Sequence, residues 1–275
     1  MTDFTRLYKP AAKAESPAPI LHVGRGCAFW AGATAYLADH QGGAPVLLAG
    51  LYGKFRLRLA GGPWLTCCAA IIPPGVSHEL DFAGEPFAAL YLEPNLGALG
   101  VLSPLLRNSR ETNRALIGDS AEIPLFRSFY EDTSSVQWLE AALSDVAAFA
   151  KKTSHAEPID LRLSAAVNLL HAHYFDRMPV DDLARRVGLS ASRFQHLFTR
   201  QIGVPFRRYR AWSRLRGVWR QVAEGASLTE AAHASGFFDS AHFSHEFRRT
   251  FGKAPSDGRR IARTTRSVNT DIFAG

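Results

Sequence analysis

The chain has 275 residues, of which 47% are hydrophobic and 21% charged, a composition typical of a folded protein of about two domains. Its apolar runs are much shorter than the roughly 20 residues that a membrane helix needs, and its first residues lack the pattern of a secretory signal. The three cysteines include the adjacent pair Cys67 and Cys68, which suits neither a disulfide framework nor a spaced zinc set. We therefore expect a cytoplasmic protein with no membrane partner, in which these two cysteines are packed structurally.

Charge is distributed unevenly along the chain. Residues 1–157 have a net charge of −2, whereas residues 158–275 have a net charge of +9. A strongly basic half beside a nearly neutral one is typical of a protein whose basic module binds a polyanion. Charge alone fits equally well with arginine-rich helices that are simply solvated, so the sequence pattern has to decide.

The first half begins with residues that predict β-structure. Polar and apolar residues alternate over Phe55–Leu59, and short apolar runs between residues 20 and 95 are separated by glycine and proline. This pattern predicts an antiparallel β-barrel or jelly roll. Leu105–Leu116 and Ser135–Ala150 are rich in Leu, Ala, Glu and Arg, which predicts two helices. A polar stretch ends before Pro158, where we place the domain boundary.

After Pro158 the sequence reads as helix throughout, and it contains an internal duplication. In both copies Ala precedes Gly by four residues, two Phe lie four apart, and a second Gly follows five residues later. The first copy consists of Ala184, Gly188, Phe194, Phe198 and Gly203. The second copy consists of Ala232, Gly236, Phe243, Phe247 and Gly252. Small residues at a close helix contact, a glycine in a tight turn and a pair of aromatic anchors together predict a helix-turn-helix, present twice.

Capping residues support these helix boundaries. Ser227 and Glu230 have the spacing of a capping box, and Ser190 and Asp239 are placed to cap the second helix of each copy. When the phenylalanines face inward, the opposite faces of the two second helices carry short polar side chains suited to base edges in a major groove. These predicted base-reading residues are Ser192, Gln195, His196, Thr199, Ala241, Ser244, His245 and Arg248. The predicted phosphate contacts are Arg193, Arg200 and Arg249.

Residues 160–260 resemble the DNA-binding domain of the AraC/XylS family of bacterial transcription regulators. The resemblance rests on VDDLARRVGLSASRFQHLFTRQIGVPFRRY (180–209) and SLTEAAHASGFFDSAHFSHEFRRTFGKAP (227–255). Arg214 falls where the family has an arginine in the linking helix, whereas Gly217 replaces the usual Ala and Gly258 precedes Arg259 where an aromatic residue is usual. Arg207, Arg210 and Arg214 form a stripe on this helix, which suits either phosphates or acids of the other domain; we favour a solvated or structural role.

The resemblance implies a two-domain α+β protein that binds double-stranded DNA. Residues 1–103 would form a cupin-like sensor barrel, residues 104–157 a helical dimerisation segment, and residues 158–262 an all-α DNA-binding domain with motifs at about 179–203 and 227–252, followed by a tail at 263–275. The resemblance further implies a homodimer in the bacterial cytoplasm that is associated with the nucleoid. If the protein is an activator, it also implies contact with RNA polymerase. The candidate lining of an effector pocket is His22, Trp30, His40, Trp64, His78 and Tyr91.

The alternative is a metal-free cupin enzyme, or a barrel that only mediates association, fused to a DNA-binding domain. Metal-dependent barrels need clustered His and carboxylate ligands, whereas the histidines of residues 1–157 are widely spaced. The one His-x-His pair, His171 and His173, lies in a predicted helix, where its side chains diverge by about 200°. We therefore expect no catalytic residues, no metal and no cofactor.

Overall fold

The computed structural model describes residues 17–24, 26–93, 99–154, 158–172 and 178–255; His173, Gly258 and the tail at 263–275 lie outside these ranges. The first half contains eleven described strands: β1 (Ile20–Val23), β2 (Cys27–Ala33), β3 (Tyr36–His40), β4 (Val46–Gly50), β5 (Phe55–Leu59), β6 (Trp64–Cys67), β7 (Ala69–Ile72), β8 (His78–Asp81), β9 (Pro86–Leu92), β10 (Leu106–Thr112) and β11 (Ala115–Ser120). The helices that follow are α1 (Ile123–Glu131), α2 (Leu139–Thr153), α3 (Leu161–Ala172), α4 (Val180–Arg186), α5 (Ala191–Ile202), α6 (Phe206–Ala223), α7 (Leu228–Ala234) and α8 (Ser240–Phe251).

The strands form two antiparallel sheets, in the orders β1-β2-β9-β4-β7-β11-β10 and β3-β8-β5-β6. Every residue of β4 is buried because both faces of the larger sheet are covered. Val46 and Leu48 face the smaller sheet, whereas Leu47 and Ala49 face α1 and α2. The predicted combination of antiparallel β-structure and a helical second half is confirmed.

The helix predicted over Leu105–Leu116 is wrong. Residues of this segment form the hairpin β10–β11, whose second strand pairs with β7 at the end of the larger sheet. Its turn passes through Asn113 and Arg114, both with positive φ, and a left-handed backbone at this point folds the chain back on itself. Composition misled the prediction, because the exposed residues of an edge strand are as polar as those of a helix surface.

The second predicted helix is confirmed as α2, whose apolar stripe Leu139, Leu143, Val146 and Ala150 is buried against the larger sheet. In the second half, α3, α4 and α5 share one core with the start of α6. A second core joins the end of α6 to α7 and α8. None of the described helices is long and apolar enough to cross a membrane.

Candidate nucleic-acid interface

The first helix-turn-helix motif consists of α4 and α5. Gly188 in the turn has φ of 71°, and Gly203 ends α5 with φ of 90°, conformations that only glycine adopts without strain. The Ser190 hydroxyl accepts a hydrogen bond from the backbone N–H of Arg193, at 3.3 Å. The predicted cap and the predicted turn glycine are therefore present at this motif.

The second motif, α7 and α8, repeats this arrangement. Ser227 and Glu230 form a reciprocal capping box at the start of α7, and the Asp239 carboxylate accepts from the backbone N–H of His242 at 2.7 Å. Gly236 and Gly252 have φ of 80° and 70°. The same capping and turn devices thus define two helices, α5 and α8, which we call the reader helices.

Aromatic side chains anchor each reader helix. Phe194 and Phe198 are fully buried, and both meet Phe206 of α6 edge-on, with ring centroids 5.1 and 5.3 Å apart. In the second motif Phe243 and Phe247 are buried in the same way, with centroids 5.7 Å apart. Edge-to-face contacts of this kind fix the rotation of each helix about its axis, which decides the residues it presents to solvent.

The reader helices present the predicted base-reading residues to solvent. Ser244 is half-buried, and the other seven, Ser192, Gln195, His196, Thr199, Ala241, His245 and Arg248, are exposed. The predicted phosphate contacts Arg193, Arg200 and Arg249 are exposed as well. The Thr199 hydroxyl donates to the Gln195 carbonyl of its own helix, at 2.9 Å. Exposure makes these residues available to DNA, and their contacts with bases and phosphates stay a prediction.

A buried ionic cluster, which no sequence pattern indicated, joins the two halves of the protein. Glu93, which directly follows β9, is 1% exposed and lies 2.9 Å from Nε of Arg216 on α6. Its carboxylate also lies 3.0 Å from His171 Nε2 and accepts a hydrogen bond from the Tyr209 hydroxyl at 2.8 Å. Arg216 further donates to the Gly24 carbonyl. No local pattern marks a single glutamate as the partner of an arginine more than one hundred residues away.

A second contact joins the smaller sheet to reader helix α8 through the backbone. The Ala38 N–H donates to the Gly252 carbonyl at 3.0 Å, and the Gln41 N–H donates to the Arg249 carbonyl at 2.9 Å. A side chain at position 252 would collide with Ala38 and His40. The glycine that ends α8 therefore also allows the close approach of β3, so the orientation of α8 depends directly on the first half.

An apolar cavity of about 90 Å³ lies between the sheets and the helices of the second half. Four of the predicted pocket residues line it: Trp30, His40, His78 and Tyr91. Lys253 and Arg216, the latter paired with Glu93, also line it, and the Lys253 ammonium lies 5.4 Å from the centre of the Trp30 ring.

The expectation for His22 and Trp64 has to be corrected. His22 is buried on the other side of β1, where it pairs with Glu140 of α2. Trp64 lies on the outer face of the smaller sheet, where the guanidiniums of Arg56 and Arg58 each lie 5.1 Å from its ring. Successive strand residues point to opposite faces, and the sequence did not indicate which face would enclose the cavity.

His40 and His78 are buried side by side in the cavity wall, with ring centroids 4.1 Å apart. Burial lowers the pKa of both imidazoles, that of His78 to about 4, because a charged ring loses its hydration there. Their Nδ1 atoms lie 2.7 Å from the Ala38 carbonyl and 2.9 Å from the Val76 carbonyl. Two neutral, oriented imidazoles therefore add uncharged polar groups to the wall. In the described ranges no three His, Cys, Asp or Glu side chains form a group suited to a metal ion.

Comparison with known proteins agrees with this geometry. Residues 183–261, which span both motifs, match a family model described as a helix-turn-helix domain. Residues 183–261 thus form a helix-turn-helix domain of the AraC type. The chain is 30% identical over 112 residues to the Msm operon regulatory protein of Streptococcus mutans, a match that covers 39% of this chain and 40% of that protein. It is 34% identical over 97 residues to the transcriptional activator RhaS of Escherichia coli, covering 35% of each chain.

The whole chain is similar in fold to ToxT from Vibrio cholerae, in a structure with an unsaturated fatty acid bound. The TM-score is 0.58 at 13% identity, and the match covers 90% of this chain and 98% of ToxT. The chain spans between a third and two fifths of the length of the curated relatives it matches.

Proposed function

We propose that this chain is a sequence-specific, DNA-binding transcription regulator that responds to an effector held between its two halves. The observation that carries the proposal is the duplicated motif, in which two capped, phenylalanine-anchored helices present equivalent polar faces. The net charge of +9 in residues 158–275 supplies the electrostatic attraction that DNA binding requires.

The two reader helices are proposed to enter successive segments of the major groove, about one helical turn apart. In this arrangement Ser192, Gln195, His196 and Thr199 read one short element, and Ala241, Ser244, His245 and Arg248 read the other. Arg193, Arg200 and Arg249 bind flanking phosphates, which supply much of the affinity without sequence preference.

Substitution of one base-reading residue is expected to change sequence preference. After selection of a preferred site from random duplexes, Gln195→Ala or His245→Ala should lose about 1–3 kcal/mol of discrimination at one base position. Arg200→Gln should instead weaken binding to all sequences alike. It should also reduce the slope of log K against log salt concentration by about one. Uniform weakening by Gln195→Ala and His245→Ala would place the reading face elsewhere on the helices.

The effector is proposed to be a small apolar molecule that carries an acid group. The cavity lining is mainly hydrophobic, and the ammonium of Lys253 is the positive group proposed to bind the carboxylate. ToxT, which shares the fold, binds an unsaturated fatty acid. A dry apolar cavity of about 150 Å³ holds benzene, so the 90 Å³ here suits a short acid and would have to widen for a long one.

Ligand binding is tested on the full chain with butyrate, octanoate and oleate. We expect at least one of these acids to raise the thermal midpoint, and we expect Lys253→Gln to reduce the shift at least several-fold by removing the cation. Lys54→Gln is the matched control, because this exposed lysine follows β4 away from the cavity. Equal shifts in the wild type, Lys253→Gln and Lys54→Gln would place the acid elsewhere. If none of the three acids shifts the midpoint of the wild type, the proposal of an acidic apolar effector is contradicted.

Homodimerisation through α2 is part of the same proposal. The outward face of this helical segment includes the exposed Trp138 and Phe149, whereas its other face is buried against the sheet. Sedimentation equilibrium of the full chain tests the association.

A cytoplasmic location and, for an activator, contact with RNA polymerase are likewise proposed. The alternative, a cupin enzyme joined to a DNA-binding domain, would be favoured by substrate turnover in the purified protein.

A further inference from the structure

A crevice of about 420 Å³ lies between the linking helix α6, reader helix α8 and the loops of the smaller sheet. Five arginines line it: Arg207, Arg208, Arg210, Arg214 and Arg249. Glu246 is the one acidic side chain among its described lining residues. The three arginines of the stripe noted in the sequence therefore face a concave surface together with two further arginines.

Arg208 is the most deeply buried of the five, with only 7% of its surface exposed. Its Nη2 donates to the carbonyls of Gln41 and Arg249, at 2.6 and 3.0 Å, and its Nη1 lies 3.7 Å from the Glu246 carboxylate. Its Nε is buried without a hydrogen-bond partner. Carbonyl groups satisfy donors but carry no net charge, so the positive charge in the crevice exceeds the negative charge around it.

Burial and the neighbouring arginines both act against the charge of Arg208. Burial, together with the repulsion of Arg249 and Arg207, lowers the pKa of Arg208 to about 10, although Glu246 acts in the opposite direction. A cluster of like charges in a partly desolvated space is unfavourable until a counter-charge arrives. An anion in the crevice would relieve this repulsion.

The guanidinium of Arg210 is also held in place. The Arg210 guanidinium lies over the Phe206 ring, 4.7 Å from its centre, and its Nε is buried with no hydrogen-bond partner. A guanidinium that is already oriented loses little freedom when it binds, and its fork of donors matches the oxygens of phosphate.

We propose that this crevice binds phosphate, and that the phosphate belongs to the DNA backbone between the two elements that α5 and α8 read. This inference rests on the proposed function. Because α6 joins the two motifs, the backbone that separates two successive major-groove segments would pass in front of it. Arg249 belongs both to the crevice and to the predicted phosphate contacts of α8, so the two surfaces are continuous.

The first test measures affinity of the full chain for a random-sequence duplex over a series of salt concentrations. Arg210→Gln should reduce the slope of log K against log salt by about one, and Arg207→Gln/Arg210→Gln by about two. Arg207 is exposed, so Arg207→Gln alone tests the site even if changes at Arg210 disturb folding. Arg110→Gln, on the exposed side of β10, removes the same charge outside the crevice and should leave the slope unchanged.

The second test uses inorganic pyrophosphate without DNA, at constant ionic strength, and measures the thermal midpoint. Two results together would assign the site to a free phosphorylated ligand. Pyrophosphate would raise the midpoint of the wild type and of Arg110→Gln but not that of Arg210→Gln, and Arg210→Gln would leave the salt slope of DNA binding unchanged. No effect of the crevice variants in either test overturns the proposal. If the wild type binds no duplex at all, the proposed function fails, and the pyrophosphate test still decides whether the crevice takes phosphate.

Discussion

Replacement of Glu93 by glutamine is expected to lower the free energy of unfolding by about 3–5 kcal/mol, because it leaves a buried arginine without its counter-charge. Glu93 and Arg216 are both almost fully buried, and their side chains lie 2.9 Å apart. Tyr209 and His171 complete the set of groups around the carboxylate. All three partners belong to the second half, so the substitution should also loosen the contact between the two halves.

The same cluster predicts a dependence on pH. Burial alone raises the pKa of Glu93, but Arg216, His171 and the Tyr209 hydroxyl outweigh it and bring the pKa to about 2, against an ordinary value of 4.5. A carboxyl group whose pKa is lowered by folding stabilises the protein fully above the unfolded-state pKa. That contribution is lost as the pH falls from about 4.5 towards 2. Glu93→Gln should therefore show a weaker loss of stability over this range than the wild type.

Urea unfolding of the full chain measures both effects. Glu111→Gln is the matched control, since Glu111 is exposed on β10 and its loss should change stability by less than about 0.5 kcal/mol. In Glu93→Gln/Arg216→Met, part of the lost stability should return, because no unpaired charge remains buried. Equal stability of Glu93→Gln and the wild type would mean that the cluster does not hold the two halves together.

Truncation of one aromatic anchor should disable one reader helix while the other still binds DNA. Phe198 and Phe247 are both buried at 0–1% exposure, and each phenylalanine-to-alanine change in a core costs about 3–5 kcal/mol. The two side chains belong to separate hydrophobic cores, one at the start of α6 and the other at its end. Each cavity should therefore loosen its own motif more than the other.

Hydroxyl-radical footprinting on the selected site separates the two motifs. Phe198→Ala should lose protection over the element bound by α5, and Phe247→Ala over the element bound by α8, with thermal unfolding recorded for both variants. Leu161→Ala, at a side chain that is 85% exposed, should change neither the footprint nor the unfolding midpoint by a measurable amount. If both phenylalanine variants lose the whole footprint together, the two motifs bind as one cooperative unit.

The double motif was predictable from the sequence because the interactions that define it are local. The caps Ser190, Ser227 and Asp239 bond to backbone three residues away, and the phenylalanine pairs lie one helical turn apart. Because the motif is duplicated, the capping residue and the phenylalanine spacing each occur twice, which strengthens the prediction. The rotation of the reader helices followed from the same spacing, since anchors on one face leave the opposite face to solvent.

Three features depended on tertiary structure: the hairpin β10–β11, the pairing of Glu93 with Arg216, and which strand residues face the cavity. The hairpin joins the larger sheet because its second strand, β11, pairs with β7, and a single carboxylate acquires its arginine only when β9 and α6 meet. Trp64 faces outward because the other face of the smaller sheet packs against the larger sheet. Trp30 faces the cavity because α1 and α2 cover the opposite face of the larger sheet. Short-range periodicity thus determined the double helix-turn-helix scaffold, whereas contacts between residues distant in the chain decided how the first half is joined to it, because sequence spacing carries no information about which surfaces become neighbours.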